Sequence, residues 1–252
     1  MSRQAFLSAH RAYRESVLAQ PGERRFQVVL EQTDLMVTAE TDLSGPMLDM
    51  ARVLRGELKN YMLTHPGFRE SLVPFPVQDD APEIVREMAR ASALANVGPM
   101  AAVAGTIAQL LAERFAPLSP NLIVENGGDI FMRSTRKRTV ALLGDPQSGA
   151  RLGLALSPRD FPVSLCASSA TIGHSLSLGK GELVVVRSRS AALADAAATA
   201  LANLIDTADD LDLLLARARK MGSLGVEGVF AQAGGRLGVW GKMELVALDG
   251  EG

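Results

Sequence analysis

Hydrophobic and polar positions along the chain repeat with two periods, one near 3.6 residues and one of two residues. The longer period is typical of amphipathic helices, and Pro, Gly or a small polar residue marks several of their ends. Outside one alanine-rich segment it predicts these helices: residues 2–20; residues 43–63, with Ser44 as N-cap and Pro46 in the first turn; residues 82–95; a helix after Pro99 with Met100, Val103, Ile107, Leu111 and Phe115 on one stripe; and residues 208–220.

The period of two, interrupted by Gly, Pro, Asp or Ser, is typical of β-strands. It predicts strands at residues 25–31, 35–39, 122–125, 129–134, 139–143, 152–156, 163–168, 183–187, 228–233 and 236–240. Residues 65–82 are rich in helix and strand breakers, so we expect a long connection there. Because the sequence has no clear tandem repeat and no low-complexity linker, residues 1–252 are predicted to form one domain.

The segment from Ala191 to Ile205, AALADAAATALANLI, is predicted to be a helix that is covered on both faces. Its fifteen residues contain one charged side chain, that of Asp195. A surface helix normally carries Lys, Arg or Glu on its outer face, whereas alanine borders this helix all round. We therefore expect the carboxylate of Asp195 to be buried.

A buried carboxylate needs a partner, because an unpaired buried charge is strongly destabilising. Thr199 follows Asp195 by one helical turn and places a second hard oxygen beside it. Two such oxygens suit Mg²⁺, which takes one or two protein carboxylates and completes its shell with water and phosphate oxygens. The alternative is structural: Asp195 lies within two turns of a helix start near Ser190, where backbone N–H groups could satisfy it.

Composition excludes several classes of function. The net charge of −2 gives no electrostatic argument for nucleic-acid binding. The single cysteine, Cys166, excludes an internal disulfide and a CxxC site. The N-terminal residues lack the apolar core of a signal peptide, and no later run approaches eighteen apolar residues. The sequence therefore predicts a soluble, cytoplasmic protein.

A polar turn joins two of the predicted strands. It has the sequence ENGGDI at residues 125–130, and its two glycines, Gly127 and Gly128, allow a ligand to approach the backbone closely. A tight hairpin is an equally good interpretation, because Asn126–Gly127 is the strongest short hairpin signal. Asp129 either faces solvent or points into a polar pocket.

A second polar loop, SSATIGHS at residues 168–175, follows an apolar strand and concentrates hydroxyl groups, backbone amides and an imidazole. His174 could act there as a general acid or base near neutral pH, although an ordinary hydrogen-bonded loop histidine is the simpler alternative. The sequence contains no Gly-x-Ser-x-Gly elbow, no Walker-type lysine and no Gly-x-Gly-x-x-Gly after a strand. Classical nucleotide-binding folds are therefore disfavoured.

Three motifs in a fixed order resemble the ApbE superfamily of flavin-binding proteins. They are ENGGDI at 125–130, SSATIGHSLSLG at 168–179 and ADAAATAL at 194–201. The chain is more similar still to the short bacterial and archaeal branch of that superfamily, with which it also shares TDL at 33–35 and GPMAAVAGTIA at 98–108.

The resemblance implies an α+β fold: an α/β sandwich related to the T-fold, with mostly antiparallel sheets packed with helices. It also implies FAD or FMN and Mg²⁺ as cofactors. In the FAD:protein FMN transferases, the acid and the threonine of an AD-x-x-x-T helix hold Mg²⁺, and these positions fall on Asp195 and Thr199. His174 falls near the family's catalytic histidine. The residues implied to border the flavin are Asn126, Gly127, Gly128, Asp129, Ser168, Ser169, Thr171 and Gly173.

The chain departs from the transferase pattern in two places. VAGTIAQLLAE at 103–113 stands where the transferases carry a KGYAVD-like segment with a lysine and an acid, and GHSLS at 173–177 shortens an HIIDP segment. Three functions stay open: Mg²⁺-dependent cleavage of FAD with transfer of FMN to a protein hydroxyl or to water, non-catalytic flavin or nucleotide binding, and a structural or assembly role. The expected partners are a flavin nucleotide, an acceptor protein and, as an alternative, a second copy of the chain, with no nucleic acid and no membrane.

Overall fold

The structure is a computed structural model that describes residues 17, 19–144, 151–168 and 183–248. Nearly all of the helix predicted at residues 2–20 lies outside these ranges. The described residues form eleven β-strands and six α-helices, joined by short 3₁₀ turns.

The strands follow the period of two closely, because apolar residues alternate with polar ones or form short buried runs. Their bounds are β1 Arg24–Leu30, β2 Thr33–Ala39, β3 Leu122–Asn126, β4 Asp129–Arg133, β5 Arg138–Gly144, β6 Arg151–Leu156, β7 Val163–Ser168, β8 Leu183–Ser188, β9 Val226–Ala233, β10 Arg236–Gly241 and β11 Leu245–Leu248. All neighbouring strands pair antiparallel. The sequence did not predict β11, which has only four residues and no buried side chain.

The helices follow the 3.6-residue period. Their bounds are α1 Ser44–Thr64, α2 Pro66–Glu70, α3 Glu83–Ala95, α4 Val103–Phe115, α5 Ala191–Ala202 and α6 Leu211–Met221. On α3, for example, Ile84, Met88 and Ala91 are buried and face the core. Among the described residues no single helix is long and apolar enough to cross a membrane; Glu83–Ala95 and Pro99–Leu118 meet that test only as a pair, across a bend of 104°.

Two predictions about helix ends and connections were wrong. Ser44 does not cap α1: it is the first helical residue, and its N–H donates to Asp42 Oδ1 at 2.9 Å. The predicted connection at residues 65–82 contains α2, because Pro66 is suited to the first helical position and Phe68 is completely buried.

The strands form two sheets that pack face to face. The larger sheet has the order β1-β2-β3-β4-β7-β8-β9-β10, and the smaller one has the order β11-β6-β5. The helices cover one face of the large sheet around a core that includes Leu35 and Phe131, and the small sheet covers the other face around Met132 and Phe230. This arrangement confirms the predicted α/β sandwich of antiparallel sheets packed with helices.

Strand alternation places a set of polar side chains on the helix-covered face at one end of the large sheet. On β7, Leu165 faces the small sheet, so Cys166 and Ser168 face the helices. Asn126 at the end of β3 pairs with Asp129 at the start of β4. Since β4 pairs with β7, the start of β4 lies beside the last residues of β7.

Candidate functional site

Asp195 lies where helices α4 and α5 pack against each other. Its side chain is buried, with 8% of the residue exposed, as the alanine-rich sequence predicted. Its Oδ2 accepts a hydrogen bond of 2.9 Å from the backbone N–H of Gly105, and the N–H of Ala104 also donates to this carboxylate. The helices approach so closely that a Cβ on Gly105 would lie 2.4 Å from the carbonyl oxygen of Ala191.

The amides that bind Asp195 belong to the first turn of a different helix. Ala104 and Gly105 are the second and third residues of α4, whose N–H groups have no acceptor within their own helix. The first turn of a helix also carries partial positive charge, which attracts an anion. The start of α5 is satisfied separately, because the hydroxyl of Ser190 accepts from Leu193 N–H at 3.2 Å. Asp195 therefore contacts an anion-binding helix end that the sequence did not identify.

The ENGGDI segment forms a tight hairpin between β3 and β4. Gly127 and Gly128 are the two turn residues, with φ angles of +69° and +107° that favour glycine. The hairpin interpretation is thus correct, but the turn lies one residue later than the Asn126–Gly127 signal indicated. Asn126 and Asp129 flank the turn, and Gly128 N–H donates to Glu125 Oε1 at 2.9 Å.

Of the two side chains that flank this hairpin, Asn126 reaches the same helix end as Asp195, and Asp129 lies beside the end of β7. The amide of Asn126 donates to the carbonyl oxygen of Ala104 at 3.1 Å. Asp129 Oδ1 accepts from Ala167 N–H at 3.3 Å, and its carboxylate also contacts the thiol of Cys166. The hairpin therefore brings Asp129 into the buried layer between the sheet and α5, rather than into solvent.

Asp129 and Asp195 are close enough to repel each other when both are ionised. Burial raises the pKa of Asp195 well above its ordinary value and the charge of Asp129 raises it further, whereas the amides of Gly105 and Ala104 oppose the rise. Burial also raises the pKa of Asp129 to about 7. Neither carboxylate has a salt bridge to a Lys or Arg in the described part of the chain. Near neutral pH the pair therefore requires either a proton or a cation.

The thiol of Cys166 lies under this pair of carboxylates. Its Sγ is 3.2 Å from the hydroxyl of Ser164 and 3.5 Å from the carbonyl oxygen of Ala191. Burial and the two nearby carboxylates raise the pKa of this thiol well above its ordinary value. This environment favours the neutral thiol, which packs against the two acids.

Of the remaining predicted site residues, Thr199 and Ser168 lie within the described ranges and four others do not. Thr199 lies on α5 one turn after Asp195 and is buried to a similar extent. Ser168 ends β7 with 2% of the residue exposed, and its hydroxyl oxygen is buried without a hydrogen-bond partner among the described residues. Four predicted residues lie outside the described ranges: Ser169, Thr171, Gly173 and His174.

Sequence reasoning missed the contribution of α4. The only local signal was Gly105 inside an apolar helical pattern, where glycine weakens a helix and normally has a packing reason.

Within the described ranges no group of three or more His, Cys, Asp or Glu side chains could hold a metal ion. The arrangement therefore does not resemble a zinc site, but a pair of carboxylates is sufficient for Mg²⁺.

The site and the fold can be compared with known families. A family model described as AbpE bacteria matches residues 16–225. The chain belongs to this family. Its relatives include a UPF0280 protein of Methanocaldococcus jannaschii, which is 36% identical over 231 residues, covering 88% of this chain and 93% of the relative. A UPF0280 protein of Methanocella arvoryzae is 37% identical over 213 residues, covering 82% of this chain and 87% of that relative.

Solved structures share the fold of this AbpE-family chain. The flavin transferase ApbE from Vibrio cholerae matches with a TM-score of 0.57 and 11% identity over 87% of this chain and 97% of that one. The apo flavinyl transferase ApbE of Pseudomonas stutzeri matches with a TM-score of 0.57 and 12% identity, covering 87% of this chain and 94% of that one. These matches confirm the predicted ApbE-like fold, and the family match confirms the resemblance on which that prediction depended.

Proposed function

We propose that this chain binds FAD with Mg²⁺ and cleaves the FAD pyrophosphate, transferring FMN to a protein hydroxyl or to water. The observation that carries the proposal is the pair of buried carboxylates, Asp129 and Asp195, the second of which contacts the first turn of α4. Two buried acids without a basic partner among the described residues favour a bound cation, and Mg²⁺ held by carboxylates commonly takes phosphate oxygens as further ligands.

The side chains fit Mg²⁺ better than a softer metal. Asp195 and Thr199 supply hard oxygens from successive turns of α5, and Asp129 supplies a further carboxylate from β4. Mg²⁺ held there would neutralise phosphate charge and polarise the phosphorus atom that is attacked. Binding of the ion would also remove the repulsion between the two carboxylates.

The hairpin and the end of β7 would border the nucleotide. Gly127 and Gly128 have open space where a side chain would stand, so a ligand can approach their backbone. The hydroxyl of Ser168 is buried and has no partner within the described ranges, and a polar ligand would satisfy it. Ser169, Thr171 and Gly173 would complete this border.

In the proposed reaction the attacking hydroxyl forms a bond to the FMN phosphorus, the anhydride P–O bond breaks, and AMP leaves. His174 would accept the proton of the hydroxyl, since histidine is the side chain that most often acts as a general base. Support for this chemistry comes from the similar folds of proteins named as flavin transferases in Vibrio cholerae and Pseudomonas stutzeri.

The test is to incubate the pure protein with FAD and Mg²⁺, with and without candidate acceptor proteins, and to measure AMP by chromatography. We expect AMP from the wild type and none from Asp195→Asn. Asp212→Asn, which changes an exposed acid on α6, is the matched control and should leave AMP formation unchanged. The absence of AMP with every acceptor would reject cleavage, and the absence of bound FAD would reject the whole proposal.

A further inference from the structure

An open cavity lies on the side of α5 that faces away from the carboxylate pair. Its volume is about 560 Å³, which lies within the range of small-molecule sites. Leu193 of α5 lines this cavity, whereas Asp195 faces α4. Residues two apart on a helix point about 200° apart, so the two sites do not share a side chain.

One side of the cavity is apolar and contains the only tryptophan of the sequence. Trp240 on β10 lines it together with Leu193 and Val226. Gly222 is placed so that a Cβ there would come 3.1 Å from the indole ring. The chain therefore packs its backbone close to one edge of the indole while the ring still lines the cavity.

The other side of the cavity carries excess positive charge. Glu227 is the acid at this rim, and three cations lie around it: Arg187 at 3.2 Å, Lys242 at 3.0 Å and Arg189 at 3.7 Å. Within the described part of the chain the only other acid in these ion pairs is Asp160, which lies 2.7 Å from Arg187. Three cations and two acids leave one positive charge unmatched.

The unmatched charge is available to a ligand because of where each cation lies. The side chain of Arg187 is only 4% exposed and is held by both acids. Those of Arg189 and Lys242 are 54% and 63% exposed, and both line the cavity. Long, exposed basic side chains can turn towards an anion while their carbon chains stay packed.

We infer that this cavity binds a small aromatic molecule with one negative charge. The flat apolar part of the ligand lies against the indole of Trp240, and its anionic group binds Arg189 and Lys242. A site with an aromatic face and nearby cations selects ligands that have both an aromatic ring and a negative charge. A neutral aromatic compound leaves the cations unpaired, and a simple inorganic anion leaves the apolar wall exposed to water.

The test uses 2-naphthoate and its neutral analogue 2-naphthamide, which have almost the same shape. Binding to the full-length protein is followed by the fluorescence of Trp240, which reports on this cavity alone because no other tryptophan is present. We expect saturable quenching by 2-naphthoate and about fivefold weaker binding of 2-naphthamide. The preference should fall at high ionic strength, since salt screens exposed charges.

Variants distinguish binding in this cavity from nonspecific binding elsewhere on the protein. The double variant Arg189→Gln, Lys242→Gln should lose the preference for the anion, and Arg189→Lys, Lys242→Arg should retain it. Arg217→Gln removes an exposed charge on α6 and is the control. The inference is overturned if 2-naphthoate gives no saturable quenching at millimolar concentration, if both compounds bind equally, or if the double variant keeps the preference.

Discussion

The carboxylate of Asp195 accepts a hydrogen bond of 2.9 Å from the backbone N–H of Gly105, ninety residues earlier in the chain. An acid on one helix thereby binds the first turn of another, and the second acid, Asp129, lies close enough to raise its pKa. This relationship explains why an alanine-rich helix keeps one buried charge. It also leads to predictions that separate a structural role of Asp195 from a metal-binding one.

Asp195→Asn should abolish stabilisation by Mg²⁺ without unfolding the protein. The new carboxamide oxygen can still accept from Gly105 N–H, whereas the carboxylate charge that attracts the ion is lost. At a concentration one hundred times its Kd, Mg²⁺ adds about 2.7 kcal/mol to the stability of a protein that binds it only when folded. Thermal unfolding with and without Mg²⁺ measures the effect, with Asp212→Asn as control; an equal shift in wild type and Asp195→Asn would assign Asp195 a purely structural role.

Gly105→Ala should destabilise the protein by about 1–3 kcal/mol, the usual range for overpacking a core. The added Cβ would lie 2.4 Å from the carbonyl oxygen of Ala191 and 2.9 Å from the Cβ of Asp195, so α4 and α5 must separate. The control is Gly56→Ala in α1, where a Cβ meets nothing within 4 Å and should stabilise the helix by about 0.5–1 kcal/mol. Urea unfolding compares the two; equal stabilities would show that the helices are not in close contact.

Stability of the metal-free protein should fall as pH rises from about 4 to about 7. Asp129 has a folded-state pKa of about 7 and an unfolded-state pKa near 4, so between these values the folded state holds a proton that the unfolded state has released. Raising the pH therefore favours unfolding in this window. Urea unfolding in EDTA at several pH values should show this slope in the wild type and a weaker one in Asp129→Asn; identical slopes would contradict it.

Asn126→Ala should cost about 1 kcal/mol of stability and weaken flavin binding. The Asn126 side chain connects the glycine hairpin to the carbonyl oxygen of Ala104, and its loss removes this partly buried hydrogen bond. Gln27→Ala breaks an exposed side-chain bond to Asp34 and is the matched control, with little expected effect. Urea unfolding would measure the loss of stability, and FAD titration in the presence of Mg²⁺ would measure the loss of flavin affinity. Effects no larger than those of Gln27→Ala would contradict the prediction.

Much of the fold could be predicted from local pattern. The strand Val163–Ser168 was predicted with its observed bounds, because turn-forming residues flank a mainly apolar run. Burial of Asp195 was predictable because its helix has no solvated face. The identity of its neighbours was not, since Gly105 and Asp129 reach it only through the packing of α4 on α5 and the register of β4 with β7. Local periodicity contains no information on such long-range contacts.

The central claim is that the two buried carboxylates hold a divalent cation. Crystals soaked with Mn²⁺, which binds oxygen ligands as Mg²⁺ does, would test this directly through anomalous diffraction. We expect one anomalous peak within about 2–2.5 Å of a carboxylate oxygen of Asp195 and beside Asp129. A map without a peak there, in which Asp195 is bonded only to the amides of α4, would contradict the claim.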